Sequence, residues 1–549
     1  MQRRVPGLPA ATLFLFLLCC PISDGLSQGP ESYVSAVWVA DQGDGTYCNP
    51  VLHADYSDPD AIRVGDFYYL VASSFNCVPG LPILRSRDLV NWRIVGHALP
   101  RLSPEEFFRR PQHGRGVWAP SIRYHAGSFY IYYGDPDHGI FMVRAARPEG
   151  PWSDPVLVKE AQGWIDPCPL WDDDGRAYLV HAFARSVSGI KSILAVSPMS
   201  PDGTRLIGDP VIVFDGHDEH PTVEGPKFYK WNGYYYIFAP AGGVPTGWQL
   251  VLRSRHVFGP YEARVVLAQG PTQINGPHQG AWVRTAAGED WFLHFQDKGP
   301  YGRVVHLQPM RWVNGWPVIG EDPDGDGVGQ PVLRHAKPRV KGPLRLETPV
   351  ESDEFDGARI GLQWQWHANP SPTWAMCFPS RNVLRLYCEP LPEQARSLWD
   401  VPNLLLQKFP APEFCVTVKV SFHPLNEGDL FGLLVMGRDY SYLAIEREGG
   451  QVYLTRAVCV GADQGAGESE AVRLPLSSNR GYLRLRVGQG AQCHFEYSED
   501  GQGFAEVGEP FAAQRGVWIG AKFGLFALCK GSFFEKGYAD VDWVRVGKN

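Results

Sequence analysis

At 549 residues the chain is too long for one ordinary hydrophobic core, so two domains are expected. Sixty glycines, 47 prolines and an aromatic content of 13% fit many short strands joined by tight turns and argue against a helical bundle. The formal charge of −8, with no basic run, argues against nucleic acid or an anionic membrane surface as partner.

In chain order, Arg3 and Arg4 precede an apolar run from Leu13 to Cys20, and Ser23, Gly25 and Ser27 follow. A charged end, a short apolar centre and a small-residue exit predict a signal peptide over residues 1–27. The run falls short of the roughly 20 apolar residues that cross a bilayer, and no later stretch could span one. The mature protein is therefore expected to be soluble and secreted. Two of the eleven cysteines lie in that segment, and the other nine show no CxxC pair or His-rich spacing, which argues against zinc. Export permits disulfides, and an odd number leaves at least one thiol over.

An internal repeat organises residues 28–340. A turn glycine followed by an aromatic, apolar strand recurs at Gly65, Gly127, Gly175, Gly233 and Gly288, each copy preceded by a short strand and followed by another. Repeats of this length, with about four strands each, match propeller blades and predict a five-bladed β-propeller. Pro104 to Phe108 is the best short helical candidate. In Asp322-Pro323-Asp324-Gly325-Asp326-Gly327 the chain matches the start of a calcium loop, but Leu333 stands where the bidentate Glu belongs, so a polar turn is expected. Near 338–350 the aromatic repeat stops and Pro338, Gly342, Pro343 and Pro349 read as a linker. From 350 to 549, alternating strands predict a β-sandwich, making the chain all-β.

Three acids lie just upstream of the repeated hairpins and are followed closely by proline: Asp58 in Ser57-Asp58-Pro59, Asp166 in Ile165-Asp166-Pro167 and Glu224 in Glu224-Gly225-Pro226. Proline keeps the preceding chain extended and removes a ladder donor, which suits side chains aimed at the propeller axis. Acids meeting from separate blades suit glycosidic hydrolysis, which needs one carboxyl held protonated and another ionised.

With Asn49-Pro50-Val51-Leu52, Gly116-Val117-Trp118-Ala119-Pro120 and Trp282 to Arg303 in the same order, the first 320 or so residues resemble glycoside hydrolase family 43, the β-xylosidase and α-L-arabinofuranosidase group. The resemblance implies a five-bladed propeller that works with inversion, with Asp58 as general base, Glu224 as general acid and Asp166 orienting the acid and raising its pKa. It also implies that Arg303 contacts substrate hydroxyls and the acid, and that His278 is an axial histidine facing a structural calcium ion or its water shell in the central channel; no cofactor is needed for the chemistry. Phe75 and Trp118 are candidate sugar-stacking walls. Lys227 follows Glu-Gly-Pro where family members often carry His.

From Ser352-Asp353-Glu354-Phe355-Asp356 onward the chain resembles the concanavalin-like sandwich appended to many members, and Trp518 is the residue that would lean over the mouth. The expected substrate partner is an oligo- or polysaccharide carrying a terminal α-L-arabinofuranosyl or β-D-xylosyl residue, removed by exo action. An endo-arabinanase, or a carbohydrate-binding propeller without catalysis, are the alternatives; oligomeric state and disulfide pairing are not read from the sequence.

Overall fold

The computed structural model describes residue 2 and residues 33–549 apart from 343, 532 and 533; the segment read as a signal peptide lies outside these residues but for residue 2. Five four-stranded antiparallel sheets follow one another along the chain, each ordered first to fourth strand as in the sequence. Their first strands are Asp60–Val64, Trp118–His125, Trp164–Trp171, Lys227–Trp231 and His278–Arg284, and we number the blades I to V accordingly. The first strands of blades I to IV lie side by side, and that of blade V packs back against that of blade I, which closes the ring.

Each blade begins with the same hairpin because the same turn chemistry recurs. Gly65, Gly127, Gly175, Gly233 and Gly288 all hold φ between +61° and +82°, a conformation that costs glycine no Cβ clash. The second strands that follow bury alternating aromatic and aliphatic residues between blades. Ile83, Ile122 and Ile131 fill the space between blades I and II, and Val180, Phe228 and Ile237 that between III and IV. The propeller core is thus a set of five interblade layers, one per seam. Thr46–Cys48 pairs antiparallel with Arg334–Ala336, tying the start of the propeller to the segment after blade V.

Residues 365–547 form two eight-stranded sheets packed face to face. Phe414–His423 shows the burial alternation of a strand with one solvent face, whereas Asp429–Met436 is buried throughout. The reason is a second layer: Leu398, Val401 and Leu404 cover the outer face of its sheet, against Leu430, Leu434 and Phe526.

Helix is almost absent among the described residues. The expected helix at Pro104 to Phe108 is instead a 3-10 turn at Phe107–Arg109, and the one α-helix is the single turn Arg185–Ser188. No described helix is long and apolar enough to cross a membrane. The nine described cysteines stand as free thiols.

Candidate active site

Asp58, Asp166 and Glu224 stand at the same end of three inner strands. Asp58 precedes Asp60–Val64, Asp166 lies inside Trp164–Trp171, and Glu224 precedes Lys227–Trp231. In each case the extended backbone is interrupted. Asp58 and Asp166 hold φ of +53° and +58°, and Gly225 beside Glu224 holds +58°. Such values are uncommon for residues other than glycine, and Asp tolerates them better than most. The pairing of the first two strands shifts register between Ile165 and Cys168 in blade III, Trp118 and Ser121 in blade II, and His278 and Gly280 in blade V. Bulges of this kind bend a strand and re-aim its side chains, so the inner strands turn their ends into a common funnel.

Three donors converge on Asp58, which is buried. Its Oδ2 accepts from Ser57 Oγ at 2.7 Å and Ser73 Oγ at 2.6 Å, and its Oδ1 accepts from Arg303 Nη1 at 2.9 Å. Arg303 is itself fixed: Nη1 donates to Ser57 Oγ at 2.7 Å, its backbone N–H donates to Asp55 Oδ1 at 2.9 Å, and its guanidinium carbon lies 4.8 Å from the Phe295 ring centre. Asp166 Oδ2 accepts the Gly225 N–H at 2.7 Å, which links it to the residue after Glu224.

Glu224 keeps 24% of its side-chain surface open, and Oε1 lies 3.4 Å from His278 Nε2. Burial, and next the charge of Asp166, push its carboxyl up to about 8, with Asp58 adding to the rise and Arg303 opposing it. Burial and then Asp58 raise Asp166 to about 7, against the Gly225 N–H, Lys227 and Arg303. The three acids therefore sense one another within one low-dielectric site. Lys227 is fully buried, donating from Nζ to Pro120 O at 2.9 Å and Ser121 Oγ at 3.0 Å.

Aromatic residues wall one side. The Phe75 and Trp118 rings are 6.3 Å apart, edge to face, and Trp118 Nε1 donates to Gly114 O at 2.8 Å. Trp518 comes from the sandwich, 6.0 Å from the Trp118 ring and 5.9 Å from the Arg303 guanidinium carbon. It is 51% exposed, so it is not part of the sandwich core. The structure thus brings together Asp58, Asp166, Glu224, Arg303, His278, Phe75, Trp118 and Trp518.

Burial, and next Arg303, hold His278 neutral, down to about 3, and both ring nitrogens are buried without a hydrogen-bond partner. Its surroundings do not fit a calcium cage. Calcium takes about six to eight oxygen ligands, and among the described residues the one carboxylate within 4.0 Å of the ring nitrogens is that of Glu224. Among the described residues, the acidic cluster with metal-ligand spacing is Asp322, Asp324 and Asp326. There Asp322 accepts the Gly325 and Gly327 N–H groups and Asp326 that of Val328, as in the polar turn the sequence predicts.

Sequence reasoning missed Ser57, Ser73 and Asp55. Ser57 stands next to Asp58 and was open to notice. Ser73 is 15 residues downstream, and only blade pairing brings its hydroxyl to the same carboxylate.

The description "Glycosyl hydrolases family 43" matches residues 47–317, and "Beta xylosidase C-terminal Concanavalin A-like domain" matches 352–547. A putative beta-xylosidase of Xylanibacter ruminicola is 40% identical over 88% of this chain and 86% of its own length. A non-reducing end alpha-L-arabinofuranosidase of Bacteroides ovatus is 31% identical over 75% of this chain and 78% of its own. The solved xylan beta-1,4-xylosidase from Bacillus halodurans superposes with a TM-score of 0.78 at 26% identity, covering 91% of this chain and all of that one. With three carboxylates at the mouth of a five-bladed ring and a relative matched over most of both lengths, the chain belongs to glycosyl hydrolase family 43.

Proposed function

We propose that the protein is an inverting exo-glycosidase that releases a terminal β-D-xylosyl or α-L-arabinofuranosyl residue from hemicellulose-type chains. The observation that carries the reading is the difference between two carboxyls in one funnel. Glu224 is pushed up to about 8 and so keeps its proton near neutrality, while Asp58 faces three donors, all of which offer protons to an acceptor. Glu224 donates its proton to the glycosidic oxygen as the bond to the anomeric carbon breaks. Asp58 takes a proton from the water that attacks that carbon on the opposite face. The hemiacetal product leaves with inverted configuration, and solvent exchange resets both carboxyls.

Asp166 holds the Gly225 N–H and supplies part of the charge that keeps Glu224 protonated. Arg303 orients Asp58 and offers the rest of its guanidinium to sugar hydroxyls. Phe75, Trp118 and Trp518 supply the aromatic faces on which sugar C–H groups stack. Trp518 reaches the site from the second domain and closes one side of it, which supports exo rather than endo action. The choice between xylose and arabinose rests on the names of relatives, which divide between the two. Export rests on the sequence of residues 1–27.

The test is hydrolysis of aryl-β-D-xyloside and aryl-α-L-arabinofuranoside by the wild type, Glu224→Gln and Asp58→Asn. General acid–base groups contribute about 10²–10⁴-fold, and each variant is expected to lose activity in that range while still binding sugar. Proton NMR of the first-formed anomer checks inversion. Full activity in Glu224→Gln would overturn the assignment of the acid.

A further inference from the structure

Two residues below the acids, a second polar layer crosses the propeller axis. Asp58 and Asp60 are neighbours but one in the chain, as are Asp166 and Cys168, and Asp60 and Cys168 meet on one side chain, Arg123 of blade II. Arg123 Nη1 donates to Asp60 Oδ2 at 2.6 Å and to Ile122 O at 2.6 Å, and Nη2 donates to Cys168 Sγ at 2.8 Å. Asp60 is fully buried, and its Oδ2 accepts the Ile122 N–H as well, at 2.8 Å.

The layer continues around the ring. Cys168 Sγ accepts the Phe228 N–H of blade IV at 3.2 Å, and the Arg123 guanidinium carbon lies 5.2 Å from the centre of the Tyr229 ring. Tyr229 OH accepts the Trp282 N–H of blade V at 3.1 Å. One guanidinium thus binds groups on the first strands of blades I, II and III and packs on that of blade IV. It does so at the level where those strands leave regular pairing to present the acids. A backbone with register shifts and positive φ persists only where its surroundings over-determine it, and a planar fork of donors fixes directions that an apolar contact would leave free.

We propose that Arg123 is a positioning residue for the hydrolysis: it locks the first strands of blades I to III into one register beneath the funnel, and so sets where Asp58 and Asp166 present their carboxylates. The proposal rests on the glycosidase reading above. Arg123 touches neither substrate nor the reacting atoms. Its effect is on the placing of the acids, hence on turnover more than on binding, because the stacking walls Phe75 and Trp518 lie outside the strands this layer ties, and the Trp118 ring, on the Arg123 strand, has its own tether from Nε1 to Gly114 O.

The experiment compares full-length wild type, Arg123→Lys, Arg123→Met and Cys168→Val, with Glu224→Gln as the marker of lost acid catalysis. Steady-state kinetics on the better aryl-pentoside would be read against pH, after folding is checked by thermal melting. Arg123→Met is expected to lose about 10–100-fold in kcat with KM within about threefold, the range in which small misplacements of reacting groups act. Arg123→Lys keeps a charge for Asp60 but loses the fork, and is expected to recover part of that loss. Cys168→Val removes the acceptor while keeping a small apolar side chain, and is expected to lose a smaller factor in kcat alone.

Loosening the layer lets the like charges around Glu224 drift apart, so the alkaline limb of the profile moves to lower pH. A variant that only unfolds more easily would not move that limb. Folded Arg123→Met or, should that variant not fold, folded Cys168→Val, with wild-type kcat and an unmoved limb, overturns the proposal while leaving the glycosidase reading in place. A wild type inactive on both aryl-pentosides sinks both.

Discussion

On the glycosidase reading proposed above, Glu224 is the carboxyl that gives up the proton. The sequence pointed to repulsion from a neighbouring acid as the source of its raised pKa; the structure ranks burial first and Asp166 second. Two outcomes follow from the sign of that shift. Donation to the leaving group fails once the proton is gone, so the alkaline limb of the activity profile is expected near pH 8, measured as kcat/KM on an aryl-pentoside. Between the ordinary value of 4.5 and about 8, the folded chain holds a proton that the unfolded chain has released. Stability therefore falls as pH rises through that window. Glu224→Gln removes this titration, and its melting temperature relative to wild type is expected to rise between pH 5 and pH 9. An offset that stays flat with pH would contradict the shift.

Strands and turns were the most legible level. The five hairpin glycines mark the first turn of all five blades, because positive φ at a tight turn is a local demand that one residue type meets. The sandwich strands Phe414–His423 and Arg480–Gly488 announce themselves by alternating burial, again a local signal. Less legible were the bulges at the upper ends of the inner strands. Gly280 shows why such a site has its residue: a Cβ there would overlap the carbonyl of Leu293 on the next strand. Gly280→Ala is expected to cost about 1–3 kcal/mol through overpacking, read as a lowered denaturation midpoint, and to reduce activity by moving His278 beside Glu224. The helical expectation at Pro104 to Phe108 failed because the segment closes into one 3-10 turn, with Phe108 docked in the seam between blades I and II.

Across the whole molecule, both domains supply residues to the candidate site. Asp55 of the propeller accepts the Arg303 N–H at 2.9 Å and the Gly520 N–H of the sandwich at 2.9 Å, so the loop bearing Trp518 is anchored one step from the arginine that holds Asp58. Val78 and Trp366 pair their backbones, Asn76 Nδ2 donates to His367 O at 2.8 Å, and Lys522 Nζ donates to Cys77 Sγ at 2.8 Å. These contacts fix the Phe75 segment from behind. Trp518→Ala removes a half-exposed ring that packs at the mouth and not in a core. It is expected to raise KM about tenfold, near 1.4 kcal/mol of binding, with a melting temperature close to wild type. An unchanged KM would mean that substrate does not reach the sandwich.

By itself the sequence determined the class of fold and the number of blades, since each rests on turn glycines and strand periodicity, and it named three acids that the structure brings to the same end of the inner strands. Tertiary structure alone decided the rest. The hydroxyl of Ser73 reaches Asp58 across a blade, Arg123 gathers Asp60 and Cys168 from blades on either side of it, and Trp518 arrives from more than 200 residues beyond Arg303. The physical reason is range: a turn is fixed by a few adjacent φ and ψ values, whereas these contacts exist only after the ring has closed and the sandwich has docked on it.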